Sequence, residues 1–575
     1  MSWEDTYEVW KNNANLEASL KEELDSLAGN QEALEDAFYA PLEFGTAGMR
    51  GILGAGVNRM NIYTVRQATE GLASFMETLA AEIKQRGVAI SYDSRHHSQE
   101  FAYEAARVLG AHNIKAFVFE SLRPTPELSY TVRHLHTYAG IMITASHNPK
   151  EYNGYKIYGE DGAQMPPKES DLITKYIRQA EDLFAIKVAN KDDLLANGLL
   201  EIIGDAVDQD YLAEVNQVTI NRELVEKEGE TMKLIFSPLH GTGAMLGEKA
   251  LKQAGFKNFT MVPEQAITDG DFPTVKKPNP EDPAAFDLAI KLGQQQNADL
   301  LIAVDPDADR LGAAVRQPDG EYQLLTGNQI AALMLNYILV AHEKAGTLPA
   351  NAAAVKSIVS SEFATKIAEK HHTKMINVLT GFKFIAEQIK EFQANHQQTF
   401  MFGFEESYGY LTKPFVRDKD AIQSLVMLAE VAAFYREQGK NLYDGLQDLF
   451  AEYGYFAEKT ISLTFDGIEG ASQIEALMTK FRKEAPSEFA GFKVAALEDF
   501  TTSEKTLADG TVETINLPQA NVLKYLLADG TWIAIRPSGT EPKIKFYIGT
   551  QAATAAEAAE KRAGFEKALN EFTQE

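Results

Sequence analysis

The chain of 575 residues contains no cysteine. That excludes disulfides, thiolate metal sites and cysteine nucleophiles, and it suits a reducing compartment. Positive charge is scarce: 55 Lys and Arg stand against 82 Asp and Glu, for a formal net charge of −27. Such a balance argues against nucleic acid or an anionic membrane surface as the main partner. Any anionic small substrate must therefore meet locally clustered Arg and Lys. Long apolar runs are missing too; none approaches the roughly 18 residues of a membrane helix. The stretch "MSWEDTYEVWKNNANLEASLKEELDSL" is polar and acidic, unlike a secretory signal. The cytoplasm is the expected location.

What is present is an ordinary globular mixture, 45% hydrophobic and 24% charged. The length exceeds what one hydrophobic core organises, so several domains are expected. Residues 1–37 have apolar positions at helical spacing among Glu and Lys, which predicts one or two surface helices. Short apolar runs then alternate with amphipathic stretches: "GVAISYDSR", "QEFAYEAARVLGAH", "IKAFVFE", "YAGIMITAS". The alternation resumes at "MKLIFSPLHGTG" and "ADLLIAVDPDADR", and again around "AAAVKSIVSSEFATKIAEKH" and "TFMFGFEESYGYL". This pattern predicts three successive α/β domains with mixed, largely parallel sheets. The last part has Asp-Gly turns between alternating runs, which predicts a C-terminal α+β domain with an antiparallel sheet, closed by a helix. The expected organisation is a helical extension (1–40), α/β domains at 41–205, 206–322 and 323–455, and a C-terminal domain at 456–575. The apolar strands run into polar turns, where ligands of open α/β sheets bind.

Four of those turns carry chemistry. In "LLIAVDPDADR", Asp305, Asp307 and Asp309 are alternate residues directly after a strand. Three close carboxylates repel unless a cation sits among them, and hard divalent ions take such ligands. An EF-hand would need Gly and Glu where Arg310 and Arg316 stand, so that reading fails. The bland alternative is an acidic surface turn. In "TASHNPKEYNGYKIY", Ser146 and His147 follow a buried run, with Lys156 further on. Ser146 could be a helix cap or an activated hydroxyl needing a base or metal; the absence of a plausible Gly-x-Ser-x-Gly elbow argues against acyl transfer. In "RPSGTEPKIKFYIG", Arg536, Ser538, Gly539 and Thr540 form a hairpin turn able to hold a phosphate. In "GFEESYGYL", Glu405, Glu406 and Ser407 could read sugar hydroxyls or simply form a solvated face, with Arg417 and Lys419 following.

In order and type, these loops resemble the α-D-phosphohexomutase superfamily, and within it the bacterial phosphoglucomutases, from about Glu43 to Gly549. The resemblance implies domains arranged around a central cleft and interconversion of glucose 1-phosphate and glucose 6-phosphate. It implies a phosphoryl group carried on Ser146 and a glucose 1,6-bisphosphate that serves as intermediate and primer. Mg²⁺ would be held by Asp305, Asp307 and Asp309 with the phosphorylated Ser146. Glu405 and Ser407 would read sugar hydroxyls, and Arg536, Ser538, Gly539 and Thr540 would clasp the phosphate not being transferred. Arg50, Lys156, Arg310, Lys383 and Lys419 would line the cleft, and Thr380 and Gly381 would help distinguish sugar orientations. His147 and Lys156 are both candidates for the general base. The implied partners are small sugar phosphates.

Two departures bear on the sugar. The branch that uses mannose and glucose phosphates equally carries a His where Gly409 stands here, which favours glucose. The "EFGTAGMRG" start and "GFEE" loop also resemble the phosphopentomutase and glucose-1,6-bisphosphate synthase branch, which tends to lack the Ser kept at Ser407. Phosphomannomutase or phosphopentomutase activity is the alternative. A metal-dependent sugar-phosphate phosphatase would release inorganic phosphate, and a non-catalytic binding protein would be expected to have lost Ser146 or an Asp.

Overall fold

The computed structural model describes residues 2–45, 48–465, 470–538 and 543–574. The chain forms two compact units, Met1–Thr326 with Ser407–Gly439, and Gly327–Glu406 with Lys440–Glu575.

The first unit begins with three helices, α1 (Trp3–Lys11), α2 (Ala18–Ser26) and α3 (Gln31–Phe38), where the periodicity predicted one or two. The division is local: α2 ends before Gly29, whose φ is +92°, and Asn30 caps α3 by accepting from Ala33 N. Trp10 packs edge-on against Phe38, Tyr63 and Phe184, so the three helices share an apolar cluster with the body of the unit.

Strands β1 (Gly48–Ile52), β2 (Val88–Tyr92), β3 (Ala116–Phe119), β4 (Ala139–Ile143), β5 (Tyr152–Tyr158) and β6 (Leu200–Ile203) form a sheet in the order β1-β5-β4-β2-β3-β6. The β4-β2-β3-β6 core is parallel, while β5 and β1 are antiparallel additions on one side. Every residue of β2 and β4 is buried, because helices cover both faces of the parallel core. That is why "YAGIMI" is a continuous apolar run, each large side chain contributing roughly 1.5–3 kcal/mol by burial.

A second sheet repeats the scheme with β7 (Leu234–Ser237), β8 (Phe259–Met261), β9 (Leu300–Val304), β10 (Leu311–Arg316) and β11 (Tyr322–Leu324), in the order β11-β10-β9-β7-β8. The β9-β7-β8 part is parallel and β10 turns back antiparallel. The turn from β9 to β10 is the Asp305–Asp309 segment.

In the second unit, β12 (Ala352–Ser357), β13 (Lys374–Val378) and β14 (Thr399–Glu405) are parallel, with β12 central. The short strand β15 (Gly409–Leu411) lies in the returning segment of the first unit. The C-terminal part holds β16 (Tyr455–Thr464), β17 (Glu488–Phe489), β18 (Phe492–Asp499), β19 (Glu504–Leu507), β20 (Val512–Thr514), β21 (Leu523–Leu527), β22 (Trp532–Pro537) and β23 (Lys543–Ala552). These strands pair antiparallel in the order β16-β23-β22-β21-β18-β19-β20, with β17 beside β18. The expected Asp-Gly turns are present, with Gly510 and Gly530 at φ near +86° and +87°. Ala555–Gln574 is the closing helix. Three sheets with parallel cores and one antiparallel sheet match the fold class read from the pattern.

Candidate active site

In the first unit, the β4–β5 loop and the β9–β10 loop bring Ser146 to the aspartates. Ser146 is buried, and its Oγ donates to Asp305 Oδ2 at 2.7 Å. It does not cap a helix. Its backbone is left-handed, with φ +53°, a conformation that costs a non-glycine residue about 1–2 kcal/mol. His147 Nδ1 lies 3.2 Å from the same Oγ. Burial, then the charges of Arg310, Arg50, Arg95 and Lys156, push the His147 pKa well below its ordinary value.

Asp305, Asp307 and Asp309 are all buried, and ligand oxygens of the three lie within 4.8 Å of one another. The acidic-surface-turn reading therefore does not hold. Asp305 Oδ1 accepts from the backbone N–H of Asp309 and Arg310, both at 3.0 Å, which folds the loop around this side chain. Burial, reinforced by the charges of Asp307 and Asp309, raises the Asp305 pKa well above the usual carboxylate range. Burial would raise Asp309 as well, but Lys419, Lys156 and Arg310 outweigh it and hold that group at about 2. Asp307 Oδ1 and Asp309 Oδ1 are buried and accept no hydrogen bond. Carboxylate oxygens left unpaired side by side suit a hard divalent cation.

The cations expected around this cluster are there. Lys156 Nζ is 3.3 Å from Asp307 Oδ2, and Lys419 Nζ is 3.2 Å from Asp309 Oδ2. Arg50, on β1 opposite Gly154 of β5, donates to Asn148 Oδ1 at 2.9 Å. Arg310 Nη1 donates to Glu281 Oε1 at 3.0 Å and to the Ser407 carbonyl at 3.2 Å. Leu311 N donates to the Tyr408 carbonyl at 2.9 Å, so the turn holding Ser407 is bonded to the start of β10. The local clustering of Arg and Lys demanded by the net charge is met.

The second unit gathers another set. Gly381, with φ +125°, donates its N–H to Glu405 Oε1 at 2.7 Å. Thr380 Oγ1 is buried without a hydrogen-bond partner, and the Lys383 ammonium lies over the Phe384 ring at 5.1 Å. Ser357 Oγ donates to Glu406 Oε2 at 3.0 Å. Arg536 is the penultimate residue of β22, and Ser538 N donates to the Lys543 carbonyl at 2.7 Å, as a hairpin requires. Burial, together with the nearby Glu406 charge, raises the Tyr547 pKa, while Arg536 bonds its hydroxyl and opposes the shift. Gly539 and Thr540 lie outside the described residues.

Some contributors were not singled out in the sequence. Thr125 donates its hydroxyl to Asp307 Oδ2 at 2.8 Å and its N–H to the Asp307 carbonyl at 2.9 Å. Asp418 accepts from Lys419 Nζ at 3.1 Å and from the Tyr158 hydroxyl at 2.7 Å, aiming Lys419 at Asp309. Thr125 sits in "RPTPE", which carries no pattern beyond Pro punctuation. Asp418 was visible within "VRDKDA" but indistinguishable from a solvated charge.

These geometries define an α/β protein with a buried hydroxyl set against an acidic cluster and ringed by cations. Comparison with known proteins supplies the class. Profiles described as phosphoglucomutase/phosphomannomutase α/β/α domains I, II and III match residues 41–183, 209–320 and 326–453, and the C-terminal domain of the same family matches 482–566. The chain belongs to the phosphoglucomutase/phosphomannomutase family.

Among curated relatives, a phosphoglucomutase of Staphylococcus epidermidis is 43% identical over 519 residues, covering 90% of this chain and 92% of that protein. A Staphylococcus aureus phosphoglucomutase is 40% identical over 543 residues, covering 94% and 95%. Among solved structures, the open form of parafusin, a phosphoglucomutase from Paramecium, has a TM-score of 0.67 at 18% identity, covering 93% of this chain and 95% of that one. A phosphoglucomutase/phosphomannomutase family protein from Burkholderia thailandensis has a TM-score of 0.66 at 17% identity, covering 92% and 97%. Among the described residues no helix is long and apolar enough to cross a membrane.

Proposed function

We propose that this chain is a cytoplasmic phosphoglucomutase that interconverts glucose 1-phosphate and glucose 6-phosphate through a phosphorylated Ser146. The observation that carries the reading is the Ser146 hydroxyl bonded to Asp305 at 2.7 Å, inside three buried aspartates flanked by Lys156 and Lys419. The curated relatives named phosphoglucomutase support the glucose preference over mannose or pentose phosphates.

Moving a phosphoryl group between two oxygens of one sugar needs no external donor if a side chain stores that group. In the forward half-reaction the Ser146 Oγ–P bond breaks as a bond forms from phosphorus to the free sugar hydroxyl, giving glucose 1,6-bisphosphate. The hydroxyl proton passes to a base. His147 Nδ1 lies 3.2 Å from Ser146 Oγ and Lys156 Nζ lies 3.3 Å from Asp307 Oδ2, so both stand beside the cluster as candidates for that base. In the return half-reaction Ser146 recovers the other phosphoryl group, and glucose 1,6-bisphosphate from solution would prime the unmodified enzyme. Asp305, Asp307, Asp309 and Ser146 would hold Mg²⁺, which when bound supplies positive charge to the phosphoryl oxygens. Arg50, Arg310, Lys156 and Lys419 add fixed positive charge. Glu405 and Ser407, with Thr380, Gly381 and Lys383, would read the sugar; Arg536 and Ser538, with Gly539 and Thr540, would hold its second phosphate.

A coupled assay with Mg²⁺ and a trace of glucose 1,6-bisphosphate tests the activity. Glucose 1-phosphate should turn over faster than mannose or ribose phosphates, with little inorganic phosphate released. Faster turnover of another sugar phosphate overturns the glucose assignment, and phosphate release comparable to isomerisation overturns the mutase reading.

A further inference from the structure

Ser146 is held in its left-handed conformation from both sides of its own peptide units, by groups to which neither the sequence reading nor the proposed chemistry assigns a role. On the amide side, Ser146 N donates to Thr144 Oγ1 at 2.8 Å, and Thr144 Oγ1 in turn donates to Asp93 Oδ2 at 2.6 Å. On the carbonyl side, Arg95 Nη2 donates to Ser146 O and to Asn148 O, both at 2.6 Å. The other end of the same guanidinium, Nη1, donates to Pro149 O at 2.8 Å and Tyr152 O at 3.0 Å. One buried side chain thus ties down three carbonyls of the loop between β4 and β5 and that of the first residue of β5.

Asp93 and Arg95 are themselves fixed as a pair. Arg95 Nε lies 3.2 Å from Asp93 Oδ2, with both side chains fully buried. Asp93 Oδ1 accepts from the Arg95 backbone N–H at 3.0 Å and from Ser98 Oγ at 2.8 Å. Phe272 covers the guanidinium, its ring centroid 5.0 Å away. A buried charge pair of this kind adds little to stability against an apolar replacement, so its arrangement calls for another reason. The reason in view is geometry. With its amide and its carbonyl both fixed, Ser146 has little freedom to relax from φ +53°, and its hydroxyl points at Asp305.

We infer that Asp93, Arg95 and Thr144 are positioning residues for the phosphoryl-carrying serine. They set the backbone of Ser146 so that its oxygen meets Asp305 of the acidic cluster at 2.7 Å. None of the three needs to touch the sugar. The inference rests on the reading of Ser146 as the phosphoryl carrier.

Four full-length variants test it: Thr144→Val, which keeps the shape and removes the hydroxyl; Thr144→Ser, which restores the hydroxyl; Arg95→Lys, which keeps the charge but cannot span four carbonyls; and Ser146→Ala. The measurements are kcat and KM for glucose 1-phosphate, and the fraction of chain phosphorylated after incubation with glucose 1,6-bisphosphate. Thr144→Val and Arg95→Lys should lower kcat by about ten- to a hundredfold, as displacement of a reacting group by about 1 Å does. KM should stay within about twofold, phosphorylation should slow in parallel, and Thr144→Ser should recover most of kcat. Wild-type kcat in Thr144→Val, or failure of Thr144→Ser to recover what Thr144→Val loses, overturns the inference. Full turnover by Ser146→Ala overturns the phosphoserine reading itself. An inactive Ser146→Ala beside a fully active Thr144→Val sinks only the positioning role.

Discussion

The Ser146 hydroxyl and Asp305 Oδ2 meet at 2.7 Å across 159 positions of sequence. Two different sheets deliver them, each at the carboxyl end of a buried strand. The contact places an oxygen nucleophile against a cluster whose own oxygens are partly unpaired, so the cluster's charge must be balanced for the hydroxyl to work.

Metal dependence follows from that balance. Chelation should abolish turnover, and added Mg²⁺ should restore it. Thr125 holds Asp307 Oδ2 without sharing its charge, so Thr125→Val should weaken Mg²⁺ affinity by about 10- to 100-fold, the usual effect of removing a group that orients a ligand. A Mg²⁺ titration of activity checks it. An unchanged half-saturation point contradicts the assignment of Asp307.

Gly409 matters for the space it leaves. A Cβ there would overlap Cδ and Cγ of Lys419, whose Nζ is already committed to Asp309 and Asp418. Gly409→Ala should therefore displace Lys419 and lower kcat by about tenfold or more, comparable to loss of one charged stabiliser of the transferring group. Installing His at this position should not confer mannose phosphate activity unless Lys419 moves as well. Parallel assays on glucose and mannose phosphates decide this.

The second unit contains a fully buried Lys356, ion-paired to Glu362 at 3.1 Å and donating to the Ser360 carbonyl at 3.2 Å. Glu362→Ala should cost about 3–5 kcal/mol, because it leaves a buried charge uncompensated. The double variant Lys356→Met with Glu362→Gln should recover most of that loss. Denaturant unfolding of the wild type and the two variants measures it, and a double variant as weak as Glu362→Ala contradicts the argument.

A pH dependence of stability comes from Glu458. Burial raises its pKa from 4.5 to about 7, although Ser361 and Asn328 bond to it and Lys356 and Arg562 lie near. Between those values the folded chain keeps a proton that the unfolded chain releases. The contribution to stability is therefore fully present below about pH 4.5 and is lost as pH rises through about 7. Glu458→Gln should flatten this slope, so that the wild type loses more stability than the variant between pH 5 and pH 8. Equal losses would count against the assignment.

Much of this was legible in the sequence for physical reasons. Parallel strands buried on both faces are continuous apolar runs, so "GIMI" and "LLIAV" announced β4 and β9. Polar turns after such strands lie where open sheets bind ligands, so Ser146 and the three aspartates stood out. Contacts of high sequence separation were hidden. Asp93 and Arg95 are ordinary polar residues until the fold brings them onto the serine loop. The third N-terminal helix was also missed, because it depends on a glycine turn and an Asn cap inside what reads as one amphipathic stretch.

Phosphoryl occupancy of Ser146 tests the account most directly. The full-length chain is incubated with glucose 1,6-bisphosphate, its intact mass measured, and the modified peptide sequenced before and after one turnover with glucose 1-phosphate. The account predicts a single phosphoryl group on Ser146 both before and after that turnover, the original group having passed to the sugar and the sugar's own 1-phosphate having replaced it. A chain that turns over fully without phosphate on Ser146, or that carries it on another residue, would contradict it.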